Sequence, residues 1–507
     1  MKTTTSIVAG LVAPVVAQYK PVVSSKELVG LVNTEELVAG AQDLYDIAKA
    51  NGNTRAFGSP GHNATVEYIF EALVETGYYD VYKQPFVELY EDAQVDFSVD
   101  GVEYAARYLT YSPSGDLDKP LIGISNIGCT LEDYPTSVTG NIAFIKRGEC
   151  SFAQKATNAK TAGASGVIIY NHLNETLSGT LGEPGDWLPT ASVEYGPGQA
   201  ILAQLSGSNS TTASLTIDVV QENRTTYNVI AETKEGDHNN VLMLGAHTDS
   251  VPAGPGINDD GSGTIGILTV AKHLAGFSVK NAVRFGFWSA EEFGLLGSYH
   301  YLKTLNGTLA GNATEVGKLR AYLNFDMIAS PNYALGVLDG DGSTFNLSGP
   351  AGSATIQKDF ISFFASQNKS TVASEYSGRS DYAAFLDNGI PSGGVDTGAE
   401  GLKTEEEAVL FGGEAGVAYD INYHLIGDTV DNLALDAFLW NTQAIADATA
   451  RYALDFGDIP KPNQTTEARK RNVEKSRLRR ALESVPKRVS GLGKRHGGCV
   501  HDVKTEL

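Results

Sequence analysis

Cysteine, methionine and tryptophan each occur only three times in the 507 residues. So few cysteines exclude a disulfide scaffold. Beyond the N-terminus no run approaches ~20 uncharged apolar residues, so no membrane-spanning helix is expected. Positive charge is scarce as well: 38 Lys and Arg face 60 Asp and Glu, for a net −22. It is also unevenly placed. From Ile459 to Leu507 there are 13 basic and 5 acidic residues, 13 − 5 = +8, which leaves −30 on the rest. An acidic body of this kind argues against nucleic acid or an anionic membrane as partner.

The remaining composition, 42% hydrophobic with 19% charged residues, belongs to a globular chain. Its length calls for two or three folded units. Lys2, the apolar run from Ile7 to Val16 and Ala17 before Gln18 read as a secretory signal over residues 1–17. Residues 18–40 could form a propeptide. Nine N-x-S/T sequons, at Asn63, Asn174, Asn209, Asn223, Asn306, Asn312, Asn346, Asn368 and Asn463, agree with a glycosylated secretory protein. A secreted, extracellular location is therefore expected, with a vacuolar lumen as the alternative. Cys129 and Cys150 could pair there, whereas Cys499 lies in the tail.

Patterning divides the chain further. Leu28, Leu31, Leu37, Ala41, Leu44 and Ile47 keep helical spacing. A second helix is expected from Ala64 to Thr76, after a turn-rich stretch from Arg55 to Gly61. Between Val102 and Gln221 short strand-like runs alternate with turns, at 120–124, 141–145, 166–170 and 213–220, with a helix at 152–162. After Tyr227 strands alternate with helices: strand 241–246, helix 263–274, strand 283–288, a helix from Glu292, and strand 321–325. That alternation implies an α/β fold, a mostly parallel sheet covered on both faces. Chemistry in such sheets gathers at the C-terminal strand ends.

The chemistry-bearing side chains stand at those ends. His247 follows the first of these strands, Glu291 and Glu292 the second, and Asp326 the third. Asp259 lies in a Gly-rich turn before a helix, and His424 in a second loop. Each has an ordinary reading alone: a helix cap, a solvated helix start, a structural histidine. Their coincidence at the ends of separate strands is what points to a site. Two imidazoles and three carboxylates suit Zn²⁺. Three carboxylates also offset most of the charge of two such ions.

The stretch from Gly140 to Lys155, followed by Ala162 to Asn171, resembles the protease-associated domain. The segments Gly245-Ala-His-Thr-Asp-Ser250, Gly256-Ile-Asn-Asp-Asp-Gly-Ser-Gly263, Ala290-Glu-Glu-Phe-Gly-Leu-Leu-Gly-Ser298 and Asn324-Phe-Asp-Met-Ile328 resemble the co-catalytic di-zinc aminopeptidases. The layout is most similar to the aminopeptidase Y and secreted leucyl aminopeptidase group. The resemblance implies a three-layer α/β/α catalytic domain over 41–101 and 222–455, interrupted by a mainly-β protease-associated domain at 102–221. A basic tail at 456–507 would follow.

It also implies roles. Asp259 would bridge two Zn²⁺, with His247 and Asp326 completing one site and Glu292 and His424 the other. Glu291 would be the general base acting on a water shared by the ions, and Tyr423 a donor to the oxyanion. Asp249 would orient the His247 ring. The substrate would be a peptide with a free N-terminus, its amine near Glu291 and Asp326, and a monomer is expected. Arg379, Asp381 and Asp396 would line the substrate pocket. Asp396 stands where relatives often carry an aromatic, which would favour Lys or Arg at the substrate N-terminus. Some relatives bracket the last histidine with a cysteine pair; Asn422 and Gly427 occupy those positions here. Other readings are a non-catalytic receptor-like relative, which should have lost ligands, and a carboxypeptidase or glutaminyl cyclase on the same fold.

Overall fold

The computed structural model describes residues 20–461, without 174–176, 178, 183, 208–209 and 308–314 and without the side chains of 306 and 307. The signal segment, Cys499, most of the basic tail and the sequons at Asn174, Asn209, Asn312 and Asn463 lie outside the described residues, as does the Asn306 side chain. Asn63, Asn223, Asn346 and Asn368 are described and exposed. No helix among the described residues is long and apolar enough to cross a membrane.

Two compact units form. One takes the chain up to Phe86 and again from Thr225; the other runs from Val87 to Arg224. The inserted unit thus begins well before Val102. Tyr79–Val99 is one continuous strand that runs through this boundary, with Pro85 inside it.

The larger unit is built on a sheet in the order Val372–Ser374, Gly336–Leu338, Ser392–Asp396, Leu319–Phe325, Asp237–His247, Asn281–Trp288 and Thr212–Thr233. The four strands from Ser392–Asp396 to Asn281–Trp288 are parallel. Antiparallel pairing flanks them on both sides, so the sheet is mixed and mostly parallel. Side chains alternate between the faces, as the strand period of two requires. Leu242, Leu244, Phe285, Phe287, Leu323 and Phe325 enter the core under Thr34–Ala50, Gly261–Leu274 and Leu435–Tyr452. Met243, Trp288 and Tyr322 enter a second core with Tyr301 and Phe385 on the other face. A Cβ on Gly245 would lie 2.2 Å from Tyr322 Oη and 2.4 Å from Trp288 Nε1, so only glycine fits there.

From Lys20 onward, the segment expected as a possible propeptide is packed into the larger unit. Ser24 caps Ser25–Leu31 and Asn33 caps Thr34–Ala50. Val23, Leu28, Val32 and Leu37 are buried in the main core. The basic tail likewise begins later than 456, because Phe456 and Ile459 are still core residues.

In the inserted unit Gly115–Gly123, Ile142–Lys146, Gly166–Tyr170 and Thr190–Val193 run parallel, with Ala106–Tyr108 antiparallel at the edge. Helices Phe152–Thr161 and Tyr195–Gly207 accompany them. Cys129 and Cys150 are joined as a disulfide.

Candidate metal centre

Parallel register brings the strand ends level. His247 pairs with Trp288, and Gly245 with Asn324. The residues just beyond, Glu291, Glu292 and Asp326, are therefore delivered to one edge together with His247. The helix expected from Glu292 begins only at Leu296. Ala290 and Leu295 adopt φ of 59° and 60°, which turns the chain out of the strand and back before the helix can start. Both glutamates consequently face the site instead of solvent, Glu291 at 7% exposure.

The ligand atoms of His247, Asp259 and Asp326 lie within 4.8 Å of one another, and so do those of Asp259, Glu292 and His424. Asp259 belongs to both groups. His247 Nε2 is 3.1 Å from Asp259 Oδ1 and 3.6 Å from Asp326 Oδ1. His424 Nε2 is 3.0 Å from Glu292 Oε2 and 3.2 Å from Asp259 Oδ2. Glu291 is in neither group; its carboxylate stands 3.9 Å from His247 Nε2.

These donors fit divalent cations better than they fit one another. His424 Nε2 is buried among acceptors yet aligned with none of them for a hydrogen bond, and Glu292 Oε1 is buried with no partner. Burial lifts the Glu292 carboxyl to about 7, with Asp259 adding to it. Burial also raises Glu291 strongly, and Asp326 and Asp381 push the same way. For His424, burial works downward, but contacts with Asp259 and Glu292 hold it up at about 10. Carboxylates crowded and desolvated in this way are costly unless cations neutralise them. Nitrogen and carboxylate donors in three-residue sets match zinc.

Comparison with known proteins agrees. Residues 228–449 match the model for peptidase family M28, and residues 116–201 match the PA domain. The probable leucine aminopeptidase 2 of Aspergillus fumigatus is 52% identical over 489 residues, covering 96% of this chain and 94% of that protein. The probable leucine aminopeptidase 2 of Aspergillus oryzae is 48% identical over 487 residues, covering 95% and 96%. The chain belongs to peptidase family M28. Its fold is similar to that of the aminopeptidase from Aneurinibacillus sp. strain AM-1, with a TM-score of 0.64 and 26% identity over 87% of this chain and 97% of that one. The chain is an enzyme, a metallopeptidase of the aminopeptidase type.

Around the candidate ligands stands a supporting layer that the sequence alone did not reveal. The Asp259–Asp260 peptide bond is cis. Asp260 Oδ1 accepts the Gly263 and Met327 N–H groups and Oδ2 accepts that of His247, at 2.8, 3.1 and 3.1 Å. One carboxylate thus ties three of the ligand-bearing segments. Arg55, fully buried, donates to the carbonyls of Thr248, Pro255 and Gly256. Ser380 Oγ donates to Asp326 Oδ2 at 2.6 Å, and Asn324 Nδ2 donates to Ser380 Oγ at 2.8 Å.

Asp249 meets the His247 ring, mainly through its backbone. Its backbone carbonyl lies at 3.1 Å from His247 Nδ1. The carboxylate pairs with the same nitrogen at 3.7 Å and also accepts the Glu291 N–H at 3.1 Å. Asp249 therefore holds the histidine with its main chain and the glutamate with its side chain.

A cavity opens beside the ligands. It is lined by Asp259, Glu291, Glu292 and Asp326, by Arg379, Glu400 and Tyr423, and by Met327, Leu338, Val395 and Asp396. Arg379 pairs with Glu400 at 2.8 Å and donates to Tyr423 Oη at 3.0 Å. Burial, reinforced by Asp259, keeps the Tyr423 phenol well above its ordinary pKa. Asp381 does not line the cavity. It is buried at the start of Tyr382–Asp387, where burial lifts its carboxyl to about 7. Asn422 and Gly427 do face each other as a pair would: a Cβ on Gly427 would lie 2.1 Å from Asn422 Oδ1. Hydrogen bonds replace the staple, with Asn422 donating to Asn432 and Asn432 to Asp420.

Proposed function

We propose that this chain hydrolyses the N-terminal residue from peptides that carry a free amine, using two zinc ions. His247, Asp259 and Asp326 would hold one ion, and Asp259, Glu292 and His424 the other. When bound, such a pair lowers the pKa of a water between the ions and polarises the scissile carbonyl.

The observation that carries this reading is the division between neighbours. Glu292 falls in a ligand group and Glu291 in none, although both line the cavity. A carboxylate left off the ligand set, buried and raised in pKa, is suited to take the proton of the attacking water and return it to the leaving amine. The Asp249 carboxylate holds the Glu291 backbone for that task. Tyr423 keeps its proton, and its oxygen already accepts from Arg379, so its O–H is available to the developing oxyanion. The cluster of carboxylates at the cavity wall favours a substrate ammonium, which an internal peptide bond does not bring. This is the reason for aminopeptidase over endopeptidase action.

The Cys129–Cys150 disulfide supports action in an oxidising compartment, and the acidic body suits a secreted enzyme. Leucyl-peptide hydrolysis should disappear on chelation and return with added zinc. An N-acetylated leucyl peptide should not be cleaved. Cleavage of the blocked peptide, or full activity after metal removal, would contradict the proposal.

A further inference from the structure

In the inserted unit a buried cation is directed at one sulfur of the disulfide. Lys155 lies on helix Phe152–Thr161 and is fully buried. Its ammonium donates to the Ile127 carbonyl and to Cys129 Sγ, the latter at 3.7 Å. Both acceptors are neutral. The carboxylate that acts on it, Asp133, is already engaged by the Asn126 side chain at 2.7 Å and the Thr130 N–H at 3.2 Å. Burial pulls the Lys155 amine down to about 8, with Asp133 opposing, so the charge is still present at neutral pH.

A cation in that place does little for the disulfide, which carries no charge. It does more for the thiolate that forms when the bond opens, and Cys129 is the sulfur it faces. The partner, Cys150, stands just before Ser151, which caps the same helix by accepting the Gln154 N–H. The helix end offers Cys150 a partial charge of roughly +0.5, at a residue that is partly exposed to solvent. Lys155 offers Cys129 a whole charge shielded from solvent. The Cys129 thiolate is therefore the better stabilised of the two, which makes Cys129 the better leaving group.

We propose that this disulfide is a directed exchange site for low-molecular-mass thiols, with Cys150 taking the adduct and Lys155 setting the direction. The incoming thiolate RS⁻ attacks Cys150 Sγ, whose residue is partly exposed, as direct attack requires. The Cys129–Cys150 bond breaks as the new S–S bond to Cys150 forms, and the electron pair leaves on Cys129 Sγ beside Lys155. A second RS⁻ then attacks the adduct, releasing RSSR and the Cys150 thiolate. Two thiols are oxidised and one protein disulfide is reduced. With RSSR in excess, the same steps run backwards and restore the bond.

The test exposes the folded, full-length enzyme to glutathione at pH 7.5, stops the reaction at low conversion with acid, and blocks free thiols with N-ethylmaleimide. Peptide mapping by mass spectrometry then reads which cysteine holds each group. Glutathione should be found on Cys150 and maleimide on Cys129, in at least about fivefold excess over the reverse arrangement. Lys155→Met should bring the two arrangements close to parity and slow the exchange, whereas Lys155→Arg should keep the wild-type preference. The wild-type measurement needs no variant, so it decides even if Lys155→Met does not fold. Equal labelling of the two cysteines in wild type, or glutathione mainly on Cys129, overturns the proposal. An unchanged preference in folded Lys155→Met overturns the role of Lys155 and leaves access alone as the cause.

Discussion

The carboxylate of Asp428 accepts the backbone N–H of Asp259 at 3.0 Å. It also accepts the Asn258 N–H at 2.8 Å. The residue that joins both ligand groups is thus tied to the loop that carries His424, four positions before Asp428. Asp428→Ala would leave two buried N–H groups without acceptors, at about 1–3 kcal/mol each. Freed positioning of Asp259 should also weaken zinc binding about 10–100-fold. Thermal melting together with zinc competition against a calibrated chelator would measure both. Wild-type affinity and melting in this variant would show that the tie is incidental.

Ser380 offers a narrower test. Its hydroxyl donates to Asp326 Oδ2 and receives from Asn324, which in turn accepts from the Tyr322 hydroxyl at 3.0 Å. Ser380→Ala should weaken zinc binding by about 10-fold or more through loss of ligand orientation. Its melting temperature in the presence of excess zinc should stay close to wild type. A large loss of stability with unchanged affinity would mean that Ser380 serves packing instead.

His62 predicts an acid sensitivity. The ring is buried, with Nε2 at 2.9 Å from Thr248 Oγ1 and Nδ1 at 3.3 Å from Thr226 Oγ1. Burial lowers its pKa from 6.5 to about 4; Asp249 opposes this, while Arg55 and His247 assist. The unfolded chain therefore takes up this proton at higher pH than the folded one. Stability is complete above pH 6.5 and falls as pH drops from there to about 4, by roughly 3 kcal/mol in total. His62→Gln keeps a polar group between the two threonines and does not titrate. Its unfolding free energy should fall less steeply than that of wild type across this window. Parallel curves would exclude His62 as a source of acid lability.

The disulfide gives a prediction for the inserted unit. Cys129 and Cys150 are 21 residues apart. Closing a loop of that length removes unfolded-state entropy equivalent to about 3 kcal/mol. Cys129→Ser with Cys150→Ser should lower the denaturant midpoint of this unit accordingly. Reducing agent should do the same to wild type and leave the double variant unaffected.

The features legible in the sequence were those with a local signal. Continuous apolar runs marked the central strands, and residues able to bind metal stood directly beyond them. The helices Thr34–Ala50 and Pro60–Glu75 were found from their apolar spacing, the second with its start placed at Ala64 because the Ser59 cap was not read. What escaped depends on distant partners or on unusual backbone. Nothing local in Ala290 or Leu295 announces a positive φ, so the helix start was misplaced at Glu292. Asp260, Asp428 and Ser380 read as ordinary loop residues until their acceptors and donors, 13 to 169 positions away, are beside them. The inserted unit's start was also hidden, because the strand Tyr79–Val99 continues through Pro85 and Phe86 without a turn.

The central claim is that adjacent glutamates divide the work, Glu292 holding metal and Glu291 moving the proton. The most direct measurement is zinc bound per chain together with kcat for Glu291→Gln, starting from metal-free protein. The account expects two zinc ions per chain, as in wild type, with kcat reduced about 10²–10⁴-fold. Loss of a zinc ion, or near-normal turnover with both ions bound, would contradict it.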